Sequence, residues 1–246
     1  MGVTGEKGGG PIKSMIPVAD ISAGLAASNA VLAALVHREK TGEGQYIDLS
    51  MMDVMVSLTS ILGTAVLNGG PVPPRSGTEN PIRVPSAAFE CSDGKFLQLV
   101  PNQRQWARFC KVIGAPELAA DERYGDNISR IRNQDSLYPR LREIFRTRTA
   151  SDWESALLDA GIPAGQILLL DELLENEQVV AREMVFEYDH PTGGRVRALN
   201  LPFRFSRSRV CMRGLPPDFG ADTDSILEEL GKTPEEIEHL RRNGIV

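Results

Sequence analysis

The stretch from Val18 to Leu67, VADISAGLAASNAVLAALVHREKTGEGQYIDLSMMDVMVSLTSILGTAVL, limits the possible folds more than any other part of the chain. Ile21, Leu25, Leu32, Leu35 and Val36 recur at helical spacing, and Asp20 is placed to cap that helix by accepting from free N–H groups of its first turn. Between them Ala23, Gly24, Ala26, Ala27, Ala30, Ala33 and Ala34 are small enough for another helix or a sheet to approach closely. The pattern predicts a helix buried on more than one side. His37, Arg38 and Lys40 suit its last turn, and Gly42 can adopt the left-handed conformation that ends it. Gln45 to Leu49 then alternates like a strand, and Ser50 with Asp53 forms an S-x-x-D box opening a second helix that runs on to Leu67.

Composition narrows the function. A net charge of −6 and a pI near 5.2, with no basic block, argue against nucleic acid as the main partner. Arg130, Arg132, Arg140, Arg142, Arg146 and Arg148 cluster locally, but helical spacing spreads them, which predicts a solvated face. Cys91, Cys110 and Cys211 are far apart and lack metal-ligand spacing. They predict neither a disulfide framework nor a zinc site, and a reducing cytoplasm is the expected compartment. There is no uninterrupted apolar run of the roughly eighteen residues a membrane span needs, so no membrane partner is expected.

The opening residues, MGVTGEKGGGP, read as an exposed loop. They lack the preceding strand, the following helix and the G-K-[ST] ending of a phosphate cradle. Asn68 to Pro85 is a Gly- and Pro-rich linker. Ala87 to Cys91 and Phe96 to Leu99 form a hairpin around Asp93-Gly94, and Asn102 caps a helix carrying Trp106, Phe109 and Cys110 on its apolar side up to Gly114. Asp121 to Gly125 is a turn. The helical stretch after it is expected to break near Pro139 and restart at Asp135 or Ser136. Ser151 and Glu154 predict another capping box, with the helix closing at Gly161 and Pro163 leading into a short strand. Asp171 to Arg182 reads as one acidic helix, and Met184 to Tyr188 with Arg195 to Leu199 as a second hairpin. Asp222 or Thr223 caps a helix ended by Gly231, and Thr233, Pro234 and Glu236 start the last. His37, His190 and His239 read as solvated residues at helix ends and a turn, without metal-ligand spacing.

Several of these stretches together resemble one family, the class III (CaiB/BaiF-type) CoA-transferases, which include the α-methylacyl-CoA racemases. They are the Asp-led alanine-rich helix, R-E-K-T-G-E-G at Arg38 to Gly44, Q-Y-I-D-L-S-M-M-D at Gln45 to Asp53, D-A-G-I-P-A-G-Q-I at Asp159 to Ile167, L-P-F-R-F-S at Leu201 to Ser206, and the closing helices. The resemblance covers the later part of a complete family member, so Met1 corresponds to an interior position. It implies an α/β fold: helices of an incomplete Rossmann-like large domain over 1–70, a small α+β domain with linkers over 71–198, and a return to the large domain over 199–246. It implies transfer of CoA between an acyl-CoA and a carboxylic acid through an aspartyl intermediate, in an interlocked homodimer. The CoA thioester is a substrate, and no permanently bound cofactor or metal is expected.

The family's nucleophilic Asp falls upstream of Met1, and Asp20, Asp48 and Asp53 match other positions of its pattern. No catalytic residue is therefore assigned within the chain, which alone is expected to be inactive. The family's mobile substrate loop corresponds to Gly77, Thr78, Glu79 and Asn80 as candidates, with a plain surface linker as the competing reading. In the racemase branch a catalytic Glu lies where Gln103 stands, and an amide cannot exchange a proton as a carboxylate does, which disfavours racemase activity. From another class of function, the alternative is a non-catalytic assembly or dimerisation protein.

Overall fold

The structure, a computed structural model, describes residues 1–208 and 214–246 and divides into two compact units, Met1–Ile167 and Leu168–Val246. The first unit opens with helix α1 (Val18–Thr41), which ends as expected at Gly42 with φ 78°. Its N-cap is Pro17 and no side chain caps it, so Asp20 lies inside the first turn, where its charge complements the positive end of the helix dipole without capping an amide. Ser50 caps α2 (Met51–Leu58) by accepting from the Met52 and Asp53 amides. The expected single second helix breaks at Thr59, whose Oγ1 bonds back to Val56 O; α3 (Ser60–Leu67) begins with Ser60 at φ 47°.

Two expectations for this region fail for one reason. Gln45 to Leu49 belongs to no strand, because no described segment pairs with it. Instead of being buried on more than one side, α1 buries only Ala23 and leaves Leu25 63%, Leu32 58% and Val36 54% exposed. The sequence carries the pattern of a core helix and a core strand, but the described residues contain nothing to cover them. By length and composition alone α1 is also apolar enough to cross a membrane.

The core lies further along. Strands β1 (Ala87–Glu90), β2 (Phe96–Leu99) and β3 (Ala164–Ile167) form an antiparallel sheet in the order β1-β2-β3, with Phe89 opposite Leu97 and Leu99 opposite Ala164. Gly94, at φ 73°, turns the hairpin. Alternation puts Ala87, Phe89, Leu97 and Leu99 on the buried face. Against that face lie α4 (Trp106–Val112), α7 (Gln134–Phe145) and α8 (Ala150–Asp159), reached through the short helices α5 (Glu117–Ala120) and α6 (Asn127–Arg132). Phe145 is central, with ring centroids 4.7 Å from Phe89 and 5.1 Å from Trp153, and its carbonyl accepts from Trp153 Nε1 at 2.9 Å.

Pro139 lies inside α7 without breaking it; the break falls at Asn133. Burying Leu137, Tyr138, Leu141 and Phe145 on one face outweighs the hydrogen bond that proline removes. Helix α8 is capped by Thr149, not Ser151. Glu154 instead holds strand β3, accepting from the Gln166 amide at 3.3 Å and from its side chain at 2.6 Å.

In the second unit the expected acidic helix is two short ones, α9 (Leu170–Leu174) and α10 (Glu177–Ala181), separated where Asn176 caps the latter. Strands β4 (Val185–His190) and β5 (Gly194–Leu199) form the second hairpin. Helix α11 (Thr223–Glu229) follows Asp222, which makes no side-chain cap, and α12 (Pro234–Arg242) opens with the full Thr233–Glu236 capping box. His190 is only half-buried, not a freely solvated turn residue: its Nδ1 accepts from the Gly193 amide at 3.1 Å and its Nε2 lies 2.7 Å from Pro216 O. Ile237 is the one buried apolar residue among the described residues of this unit.

Candidate functional site

The segment Arg75 to Asn80 meets the amino-terminal glycines. Ile12 N donates to Thr4 O at 3.0 Å and Gly9 N to Glu6 O at 2.9 Å, closing residues 4–12 into a compact turn. Gly77 N donates to Gly5 O at 2.8 Å, and Arg75 Nε donates to Gly9 O at 2.9 Å. Gly5 is required here: a Cβ would sit 2.2 Å from Gly10 O and 2.6 Å from Arg75 Cδ.

The four loop candidates are brought together in one turn. Gly77 has φ 63°, Thr78 Oγ1 accepts from the Ala88 amide at 3.2 Å, and Asn80 N donates to Ser86 O at 2.9 Å. Glu79 is buried except for 11% of its side chain, with one carboxylate oxygen 2.5 Å from Arg142 Nη2 and the other 3.7 Å from Lys7 Nζ. The geometry makes Glu79 a bridge between loop and helix α7.

A second cluster escaped sequence reasoning. Arg130, expected on a solvated face, is 1% exposed. Its Nε donates to Val84 O at 2.6 Å, Nη1 to Tyr124 O at 2.9 Å and Nη2 to Gln103 Oε1 at 2.8 Å, and the guanidinium lies 4.5 Å above the Trp106 ring. Burial lowers its pKa from the ordinary value, while the Asp126 charge opposes that shift. No spacing marks Arg130 out from its exposed neighbours, and only the fold reveals it. Gln103 also donates through Nε2 to Gly125 O at 2.8 Å. The position thus needs an acceptor on one side and a donor on the other, which an amide supplies and an ionised carboxylate does not. Trp106 Nε1 is buried without a partner among the described residues.

Asp20, Asp48 and Asp53 are all exposed, and the last two line an open groove between α1 and α2 with Ser22 and Asn29. Among the described residues their carboxylates meet no partner that would orient them for attack, and no group of His, Cys, Asp and Glu could hold a metal ion. Cys91 and Cys110 are buried, and burial pushes their thiols up to about 11 and about 12; Cys211 lies outside the described residues. At pH 8 the thiolate fraction of Cys91 is roughly a thousandth. Iodoacetamide should therefore leave Cys91 and Cys110 unmodified in the folded protein and alkylate both in urea, as read by peptide mass spectrometry.

Comparison with known proteins supplies the context. The family model for CoA-transferase family III matches residues 1–223. The chain is 32% identical over 246 residues to an acyl-CoA transferase of Fusarium pseudograminearum, covering 99% of this chain and 54% of that protein. It is 30% identical over 230 residues to the succinyl-CoA:glutarate CoA-transferase of Homo sapiens, covering 94% of this chain and 52% of that one. Among solved structures it resembles a CAIB/BAIF family protein from Brucella suis, with TM-score 0.75 and 31% identity over 94% of this chain and 60% of that chain. The α/β class expected from sequence agrees with that likeness. The chain spans about half the length of the curated relatives it matches.

Proposed function

The chain belongs to CoA-transferase family III, and on that premise we propose that it forms the later portion of an enzyme moving CoA between an acyl-CoA and a carboxylic acid. In this reading a carboxylate nucleophile outside residues 1–246 attacks the thioester carbonyl and expels CoA thiolate, leaving a mixed anhydride. The thiolate then attacks the enzyme's own acyl carbon, releasing the donor acid and forming an enzyme thioester. The acceptor carboxylate attacks that thioester and expels CoA thiolate again, giving a second mixed anhydride, and the thiolate then attacks the acceptor's carbonyl carbon, which releases the acceptor's CoA thioester and frees the enzyme carboxylate.

Residues 1–70 contribute helices of the large domain, 71–198 the small domain, and 199–246 the return to the large domain. The loop Gly77 to Asn80 borders the site. The observation that carries this reading is the nearly bare face of α1, α2 and α3, where one alanine is buried in helices patterned for a core. Succinyl-CoA is the donor to test first, because curated relatives are named as succinyl-CoA:glutarate and succinyl-CoA:mesaconate CoA-transferases. Racemisation is the weaker reading, since Gln103 offers no acid or base.

The same bare face favours a second reading, a non-catalytic assembly protein that uses these helices to join another subunit. Formation of glutaryl-CoA from succinyl-CoA and glutarate by this polypeptide would exclude both that role and the upstream nucleophile.

A further inference from the structure

Glu79 stands apart from the exposed ion pairs of the fold. Its side chain is 11% exposed, whereas its partners Arg142 and Lys7 are 49% and 60% exposed. Its partners come from distant parts of the chain: Arg142 from α7, and Lys7 from the amino-terminal glycine turn. Arg142 is itself anchored, with its guanidinium 5.7 Å above the ring of Tyr138, which is 2% exposed. Lys7 also reaches Asp135 Oδ1 of α7 at 3.2 Å, but those side chains are 60% and 88% exposed, so that pair alone holds the turn only weakly. Only a few hydrogen bonds otherwise hold residues 4–12 to residues 75–80, notably Gly77 N to Gly5 O and Arg75 Nε to Gly9 O.

We propose that Glu79 is the movable half of a charge latch: seated on Arg142 and Lys7, it clamps the Arg75–Asn80 loop and the amino-terminal glycine turn onto α7, and leaving them it frees both segments together. The fixed half is Arg142 on its aromatic seat. The moving half sits in a short loop with Gly77 at φ 63°, which Ser76 Oγ closes by donating to the main-chain Glu79 O at 2.6 Å. A charge-assisted bond with little solvent access resists opening more than an exposed pair does. The latch therefore sets the opening equilibrium of a loop that backbone bonds alone hold weakly.

Hydrogen exchange on the intact chain, read by mass spectrometry, tests this at the Gly9, Ile12 and Gly77 amides, each of which is hydrogen-bonded only within these segments. Glu79→Gln should speed exchange of all three about tenfold, with β1 and β2 amides unchanged. Arg142→Gln should do the same, and the double variant no more than the larger single, because both remove one bond. Unchanged exchange in Glu79→Gln would overturn the latch. So would fully additive effects, or a uniform rise that includes the sheet, since these describe independent or merely structural roles.

Discussion

Replacing Arg130 by methionine should lower the stability of the core around the β1-β2-β3 sheet by about 3 kcal/mol, despite removing a charge from a buried site. Two terms compete. Removing a guanidinium that is 1% exposed relieves its desolvation, and in a pair of side chains such relief sometimes wins because both partners can be replaced by apolar groups. Here two of the three acceptors, Val84 O and Tyr124 O, are backbone carbonyls that no side-chain substitution removes. Orphaning a buried carbonyl costs about 1–3 kcal/mol, and the contact with Trp106 contributes on the order of 1 kcal/mol more. The orphaned acceptors decide the sign. Thermal unfolding followed by near-ultraviolet circular dichroism should show a midpoint about 6–12 °C lower. Arg130→Lys should fall between, keeping the charge but losing the fork that reaches three acceptors at once.

Substituting Leu25, Leu32 and Val36 together by glutamine should have the opposite profile: almost no change in core stability and a large loss of self-association. These residues share one face of α1 and are 63%, 58% and 54% exposed. A core helix would not tolerate the triple change, since losing three buried aliphatic side chains costs several kcal/mol. On an exposed face the folded core loses nothing. What is lost is the drive to cover that face, about 1.5–3 kcal/mol per side chain when fully buried between copies. Even partial burial amounts to on the order of a thousandfold in dissociation constant. Light scattering should report assemblies above the 26.9 kDa chain for the parent and a shift toward monomer for the variant. A monomeric parent would show that the bare helices do not drive association.

What could be read from sequence divides along a physical line. Gly42, the Asp93-Gly94 turn, the Asn102 cap and the Thr233–Glu236 box were legible because each is decided within a few residues by backbone chemistry. Pro139 misled because tertiary burial of α7 outweighed a local penalty, and Ser151 because Thr149, two residues earlier, took the cap. Gln45 to Leu49 and the apolar stripe of α1 misled differently. Their pattern describes surroundings that no described residue provides.

At the candidate site, resemblance pointed to Gly77 through Asn80. The partners that give Glu79 its setting, Lys7 and Arg142, lie far off in sequence, the latter 63 residues away. Arg130 was illegible for the same reason, since its acceptors Val84 and Gln103 come from other segments.

In the proposed reading these residues carry the scaffold of a CoA-transferase without its nucleophile. The most direct measurement is to incubate the purified chain with succinyl-CoA and glutarate and to examine both product and protein by mass spectrometry. No glutaryl-CoA and an unmodified polypeptide mass are expected; glutaryl-CoA, or a succinyl or CoA adduct on any aspartate or glutamate, would overturn that reading.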